Sequence, residues 1–306
     1  MSPLTAADPL WLRLWAWRNR GITVPFLPPV PECVGDPWPS AHSAALPLPS
    51  IPSNLAGPWH RAPGGSRSTV VFLSEYRVLR VVRPGVPEAQ LAGEIAALRA
   101  GGTLLPRLLT TGPGWLCMER LAGQHPSMSG PWVDELGAFA AQYRQTTAAG
   151  VPDRPEPEWS ALDAALSPRV TTRLRTAIRT TDVRGAVGLS HGDLHGRNVL
   201  LDEQGRLQAV LDFEQVMLAP PEREVACWIT LLAGQFGITA VQRATAVLCP
   251  DGVDGAVLHG EILRQLATAA SSALNRVEPA AYLRTIRLLA ELLIDDPSLP
   301  MVLCGA

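Results

Sequence analysis

The chain has 306 residues, of which 47% are apolar and 18% are charged, and its formal net charge is −2. This length favours two lobes or two domains over a single core, and the apolar content excludes a wholly disordered protein. Because there is no basic excess, we expect no nucleic-acid partner. No uncharged apolar run reaches the length of about 18 residues that a bilayer requires, so we expect no membrane-spanning segment.

The first 55 residues are unusually rich in tryptophan and proline. Residues 8–20 predict a short helix, with Asp8 as N-cap and Pro9 at the first helical position. The proline-rich stretch 24–63 has no apolar periodicity and predicts an extended strap rather than a domain. We expect residues 1–55 to pack on the body of the protein. The alternative is a segment that docks a peptide or a partner protein.

Regular structure is predicted from residue 69 onward. The β-branched and aromatic runs 69–73 and 76–82 predict a hairpin, and 86–102 predicts a helix that ends at a glycine pair. Residues 114–123 predict a further strand that ends in a loop. We expect residues 56–122 to form a small lobe that binds a nucleotide, for reasons that depend on motifs further along the chain.

The remainder, 123–306, is predicted to be mainly helical and to carry the acceptor site. Apolar periodicity predicts helices over 131–148, 160–181, 222–235, 254–275 and 279–294. Between them, two short apolar strands flank the turn "DEQG" within 186–213. The expected architecture is an α+β fold, with a small antiparallel sheet and one helix in the first lobe and a larger helical second lobe.

Cysteine and lysine usage narrow the class of protein further. The five cysteines are widely spaced and form no C-x-x-C pair, so neither a disulfide framework nor a zinc site is expected. A reducing, cytoplasmic location fits best. Lysine is absent from the chain, and acidic side chains outnumber basic ones after residue 190. This acidic excess suits metal ions and cationic substrates.

Polar side chains cluster around the predicted strand pair. Asp193 and Asn198 precede the first strand and Asp212 follows the second, so a hairpin brings all three to one edge. Carboxylate and amide oxygens are the ligands that Mg²⁺ prefers, with phosphate and water completing its coordination. In phosphoryl transfer, one carboxylate also accepts the proton of the acceptor hydroxyl. Asp193 is the candidate for that base.

The motif H-G-D-L-H-G-R-N at 191–198, followed by D-F-E at 212–214, resembles the signature of the aminoglycoside phosphotransferase and choline kinase-like family, relatives of protein kinases. The resemblance covers roughly residues 55–295 and implies a protein-kinase-like two-lobe fold. It also implies transfer of a phosphoryl group from ATP or GTP, with Mg²⁺, to a hydroxyl group. By position, Asp193 matches the catalytic aspartate, and Asn198 and Asp212 match the metal-binding residues.

The resemblance places nucleotide contacts in the first lobe. Arg80 stands where the family has lysine, which is a departure because the planar guanidinium is not equivalent to an ammonium group. Glu94 lies on the buried side of the predicted helix and needs a cationic partner, for which Arg80 is the natural candidate. Val78 shares a strand face with Arg80, where it would touch adenine.

Two further segments would complete the nucleotide site. The turn "PGGSRST", with Gly65 and Ser66, is either a phosphate-covering loop or an ordinary hairpin turn. The segment with Met118, Glu119 and Leu121 corresponds to the family's hinge, whose backbone would meet the adenine edge.

The chain also departs from the family beyond the catalytic loop. A Leu-His pair is missing from 139–147, and the family's Asp-Leu-Ala appears as "EVA" at 224–226, where we expect Glu224 to hold the catalytic loop. The acceptor would be a small molecule such as an antibiotic or a biosynthetic metabolite. The alternatives are a kinase for Ser or Thr of a peptide in natural-product maturation and a nucleotide-binding pseudokinase scaffold. Arg80 is the feature that favours the scaffold, and the oligomeric state stays open.

Overall fold

The computed structural model describes residues 59–61, 69–83, 88–181, 187–232, 236–273, 287, 290–291 and 293–297. The tryptophan- and proline-rich segment 1–55 lies outside these residues, and so does the predicted turn with Gly65 and Ser66. Most of the predicted helix 279–294 lies outside them as well.

The first part of the fold contains the strands β1 His60–Arg61, β2 Thr69–Leu73, β3 Arg77–Val82, β4 Leu108–Gly112 and β5 Trp115–Glu119. They form an antiparallel sheet in the order β1-β2-β3-β5-β4. The predicted hairpin is confirmed as β2 and β3, whose register places Val71 opposite Arg80. The strand β4 was not predicted, because its sequence LLTTG alternates only weakly.

Both faces of this sheet are covered. Along β5, Trp115 and Cys117 belong to a small apolar cluster on one face, while Leu116 and Met118 join the main core on the other. This alternation follows from the two-residue period of a strand. The helix α1, Ala92–Ala100, follows a 3₁₀ turn and packs beside this core.

The described residues after the sheet are mainly helical, as predicted. Residues 160–181 form two helices instead of one, because Ser167 has a φ of 122° and Pro168 starts a new helix. The predicted helix 222–235 is α-helical only to Cys227 and continues as a π-helical turn. The helices are α2 Trp132–Tyr143, α3 Trp159–Ala165, α4 Pro168–Thr180, α5 Glu222–Cys227, α6 Ile238–Leu248 and α7 Gly255–Ala273.

Helix packing builds the core of this second part. Helix α2 packs against α6, and α7 packs against α3, α4 and α5. The α2–α6 approach depends on Gly137, since a Cβ atom there would lie 2.5 Å from the carbonyl oxygen of Ala244. Within the described parts of the chain, no helix is both long and apolar enough to span a bilayer.

Two short hairpin-like pairs carry the polar residues between these helices. Strand β7, Val199–Leu201, pairs with β8, Leu207–Val210, as predicted from the sequence. Strand β6, Gly188–Ser190, pairs with β9, Met217–Ala219, across a much longer separation. The loops between these strands therefore meet on one side of the helical part, next to the sheet.

Candidate active site

The β7–β8 hairpin brings the predicted metal-binding residues together. The N–H of Leu211 donates to the carbonyl oxygen of Asn198 at 2.8 Å, so Asp212 follows directly on the residue bonded to Asn198. Asp212 has φ 62° and ψ 68°, a left-handed conformation that non-glycine residues rarely adopt. Such local strain persists where the surroundings fix it, and it is concentrated at functional sites.

The loop before Asp193 is anchored by a buried carboxylate. Glu224 Oε1 accepts hydrogen bonds from the Ser190 hydroxyl at 2.8 Å, from the N–H of Gly192 at 3.1 Å and from the N–H of His191. This confirms the prediction that Glu224 holds the catalytic loop. Gly192 has a φ of 78°, and a Cβ atom there would lie 2.5 Å from the Gln215 carbonyl oxygen. Glycine is therefore required at this position.

The His191 ring links the catalytic loop to the strand before Asp212. The N–H of Asp193 donates to His191 Nδ1 at 3.3 Å, so this nitrogen carries no proton. The other ring nitrogen, Nε2, then carries the proton and donates to the Leu211 carbonyl oxygen at 2.8 Å. One neutral tautomer thus ties the two loops of the site together.

Asp193 lies where these loops converge, and its side chain retains 26% exposure. Burial raises the pKa of Asp193 to about 7, and the nearby charge of Asp212 adds to this shift. Asn198 Nδ2 donates to the backbone carbonyl of Asp193 at 2.9 Å. His195 Nε2 lies 3.8 Å from Asp193 Oδ2, and burial lowers the pKa of His195 to about 4. Asp193 is therefore a carboxylate that can take up a proton near neutral pH.

Arg80 joins three carboxylates from both parts of the fold. Its Nη1 atom lies 2.7 Å from Glu94 Oε1 and 2.7 Å from Asp212 Oδ1, and its Nη2 atom lies 2.7 Å from Glu214 Oε2. The predicted pair of Arg80 with Glu94 is confirmed. The contact with Glu214 was not predicted, although the acidic third residue of D-F-E was a visible signal. A lysine has one nitrogen and could not divide these contacts between two atoms.

The carboxyl groups of Glu94 and Asp212, which both contact Arg80, have pKa values that shift in opposite directions. Burial raises the pKa of Glu94 to about 7, although Arg80 pulls in the opposite direction. Burial also acts to raise the pKa of Asp212, but the charge and hydrogen bond of Arg80 outweigh it and hold that pKa below its ordinary value. Asp212 therefore stays ionised, which a metal ligand requires.

The residues present fit a metal site of mixed ligands. The amide nitrogen of Asn198 is committed to the Asp193 carbonyl, which leaves the amide oxygen to act as a ligand. Asp212 uses Oδ1 for Arg80, and its second oxygen is the other candidate ligand. Among the described residues, no three His, Cys, Asp or Glu side chains form a metal-binding group. A metal here would thus depend on one carboxylate, one amide and the oxygens of a bound phosphate.

The predicted hinge comprises the end of β5, which is the last strand of the sheet in sequence order, and the residues after it. Met118 is buried, and Val78 packs against the main core opposite it in the β3–β5 register. Glu119 is occupied within the sheet, since its N–H donates to the Arg107 carbonyl at 3.0 Å and its carboxylate accepts from the Arg107 N–H at 2.8 Å. Half-buried Leu121 follows in the connection to the helical part. The N–H of Glu119 is therefore not available to an adenine edge.

Solved structures with a similar fold are phosphotransferases. A choline/ethanolamine kinase family protein from Mesorhizobium loti has 17% identity and a TM-score of 0.61, over 84% of this chain and 96% of that chain. APH(2″)-IIa in a streptomycin–ATP ternary complex has 14% identity and a TM-score of 0.59, over 76% and 93%. Spectinomycin phosphotransferase APH(9)-Ia with ADP and spectinomycin has 12% identity and a TM-score of 0.54, over 80% and 92%.

These similarities confirm the predicted protein-kinase-like α+β fold. No curated protein matches the chain. The family model described as "Phosphotransferase enzyme family", APH, matches residues 59–259, which is more than half of the chain. The chain therefore belongs to the APH phosphotransferase family.

Proposed function

We propose that this protein transfers the γ-phosphoryl group of ATP or GTP to a hydroxyl group of a small molecule, with Mg²⁺ as cofactor. The observation that carries the proposal is that Arg80 contacts both Glu94 and Asp212 at 2.7 Å. The same site contains Asp193, whose pKa is raised to about 7, so that it can accept a proton near neutral pH. Similar structures that bind ATP or ADP together with streptomycin or spectinomycin support a nucleotide and a small acceptor.

In this proposal, Asp193 accepts the proton of the acceptor hydroxyl as that oxygen attacks the γ-phosphorus, and the bond from the γ-phosphorus to the bridging oxygen breaks to release the nucleoside diphosphate. Asn198 and Asp212 would hold the metal, which would supply positive charge to the phosphate oxygens. The Glu224 anchor and the His191 bridge keep Asp193 aligned with Asp212. Positioning matters because most of the rate in phosphoryl transfer comes from alignment and charge stabilisation.

The nucleotide contacts divide between the sheet and the loops that follow it. Arg80 would bind the phosphates, exchanging part of its contact with the carboxylates. Val78, Met118 and Leu121 would surround the adenine. Gly65 and Ser66 remain candidates for a phosphate-covering turn outside the described residues. We assign residues 56–122 to the nucleotide lobe and 123–306 to the acceptor lobe.

A nucleotide-binding scaffold without transfer is the second candidate function. Its support is the hydrogen bond from Arg80 to Asp212 Oδ1, which occupies one oxygen that a metal would use. In a scaffold this bond would persist with nucleotide bound, whereas in an enzyme Mg²⁺ would compete for the carboxylate.

A screen for the acceptor tests these candidates. The full chain is incubated with ATP or GTP and Mg²⁺ in the presence of hydroxylated metabolites, aminoglycosides and serine peptides. Mass spectrometry then detects a gain of about 80 Da, the mass of the transferred group. An active enzyme should lose this product in Asp212→Ala and keep it in Glu203→Ala, which removes an exposed carboxylate from the same hairpin.

Calorimetry of nucleotide binding completes the test. Mg²⁺-dependent affinity that disappears in Asp212→Ala supports the enzyme. Nucleotide binding that is indifferent to Mg²⁺, together with no product from any acceptor, would contradict transfer and support the scaffold.

A further inference from the structure

A second group of charged side chains lies on the helical side of the catalytic loop. Arg223 belongs to α5, Glu261 and Arg264 belong to α7, and Arg154 lies in the segment before α3. Arg154 Nη1 donates to Glu261 Oε1, and the charges of all three arginines act on the Glu261 carboxyl group. We call Arg154, Arg223 and Arg264 the arginine cluster. Arg154 contacts the buried Glu261 carboxyl group directly, and the charges of Arg223 and Arg264 act on it from nearby. Arg264 Nη1 also donates to Glu156 Oε1 at 3.4 Å.

The arginine cluster adjoins the proposed catalytic base. Arg223 Nη2 donates to the carbonyl oxygen of Gly192 at 3.4 Å, and Gly192 immediately precedes Asp193. The charge of Arg223 also acts on the Asp193 carboxyl group, against the effect of burial. The arginine cluster therefore lies next to the backbone that carries the proposed catalytic base.

Two buried polar atoms in this group have no hydrogen-bond partner among the described residues. They are Arg223 Nε and Glu261 Oε2, on side chains that are 4% and 1% exposed. Buried polar atoms are paired in the great majority of native structures, so each points to a bound group or water. Arg223 Nε–H needs an acceptor. Burial raises the pKa of the Glu261 carboxyl group, against the charges of the arginine cluster.

We propose that the arginine cluster binds an anionic oxygen group of the acceptor, a carboxylate or a phosphate, next to the hydroxyl that is phosphorylated. The inference rests on the proposed function for the identity of the ligand as acceptor. Guanidinium groups match the planar fork of a carboxylate or phosphate, and they repel a cation. The acidic excess after residue 190 therefore does not define the acceptor. Asp212, Glu214 and Glu224 are already engaged by Arg80 and by the catalytic loop.

Calorimetry of the full chain with simple ions tests the proposal. Malonate represents a carboxylate, inorganic phosphate represents a phosphate ester, and ethylenediamine is the cationic counterpart. The titrations are done with and without saturating ADP and Mg²⁺, which fill the nucleotide phosphate positions. We expect at least one of the two anions to bind in both conditions and ethylenediamine not to bind. The stronger anion identifies the chemical source.

Substitutions locate the binding site. Arg154→Met and Arg223→Met should each weaken anion binding by about tenfold or more, and Arg223→Lys should weaken it less. Arg243→Met is the matched control, because Arg243 pairs with Asp134 on α2, whereas the arginines of the cluster act on Glu261. Its anion affinity should equal that of the wild type. Melting temperatures verify that each variant is folded.

Three results would overturn the proposal: no binding of either anion, binding that both cluster variants leave unchanged, or tighter binding of ethylenediamine. The ADP titration shows whether a negative result refutes the anion site or the proposed nucleotide-dependent function. ADP binding without anion binding refutes only the arginine cluster as an acceptor site. Anion binding without ADP binding refutes the nucleotide-dependent function and leaves an anion site.

Discussion

Asp193 and Asp212 are the same chemical group at two loops of one site, yet their pKa values move in opposite directions. Burial acts to raise the pKa of both. Asp212 has Arg80 at 2.7 Å and stays ionised, while Asp193 faces the charge of Asp212 and has its pKa raised to about 7. The contrast shows how one arginine from the sheet can assign two roles. In the proposed reaction, the Asp212 carboxylate stays an anion and the Asp193 carboxylate accepts the proton.

Replacing Asp193 should have the largest effect on this contrast. Asp193→Asn removes the proposed proton acceptor and keeps the shape of the side chain, so kcat should fall by about 10²–10⁴ with nucleotide affinity close to that of the wild type. Steady-state kinetics on the acceptor found in the screen, with calorimetry for ATP, measures both quantities. A variant that keeps more than about a tenth of wild-type kcat would show that Asp193 is not the base.

Removing Arg80 should let the pKa of Asp212 rise and should destabilise the fold. Arg80→Ala leaves Glu94 buried without its partner, which typically costs about 3–5 kcal/mol of unfolding free energy. Arg80→Lys should cost less, because a cation remains for Glu94 and Asp212. Denaturant unfolding measures both changes. Arg173→Ala breaks an exposed pair with Asp295 and, as control, should cost about 0–1 kcal/mol. If Arg80→Ala lowered the unfolding free energy no more than this control does, the ion pairs of Arg80 would not stabilise the fold.

The pH dependence of the unfolding free energy should show the raised pKa of Asp193, with a smaller effect than the two substitutions above. The folded pKa of Asp193 is raised to about 7, so the folded state binds this proton more tightly than the unfolded chain does. The stability that the protonated form contributes is complete below about pH 4 and is lost as the pH rises through about 7. Asp193→Asn cannot ionise. Relative to the wild type, it should gain about 2–3 kcal/mol between about pH 5 and about pH 8.

Unfolding free energies at the two pH values measure this gain. Asp251→Asn, at an exposed position, is the control and should follow the wild type at both values. If Asp193→Asn also follows the wild type, then the pKa of Asp193 is not raised in the folded protein.

The sequence was informative wherever local pattern and chemistry coincide. Strand alternation predicted β2 and β3, and the turn between two apolar runs predicted the hairpin that joins Asn198 to Asp212. It was less informative where packing decides. The strand β4 has weak alternation and is held by pairing with β5, and the helix 160–181 breaks at Ser167 although its apolar spacing continues. The helix α6 was not predicted at all.

The sequence by itself determined where the motif residues lie and that Arg80 pairs with Glu94. The motif follows from its local spacing, and the pair follows from the cost of burying a lone charge. Only the tertiary structure decided which groups share those charges. Arg80 and Glu214 are 134 residues apart in the chain, and their contact depends on how the sheet sits against the D-F-E turn. Likewise, Arg154 and Glu261 are separated by 107 residues, and only the packing of α7 brings them together beside the catalytic loop. Long-range charge pairing leaves no periodic trace in a sequence, since it depends on distances that only the folded chain defines.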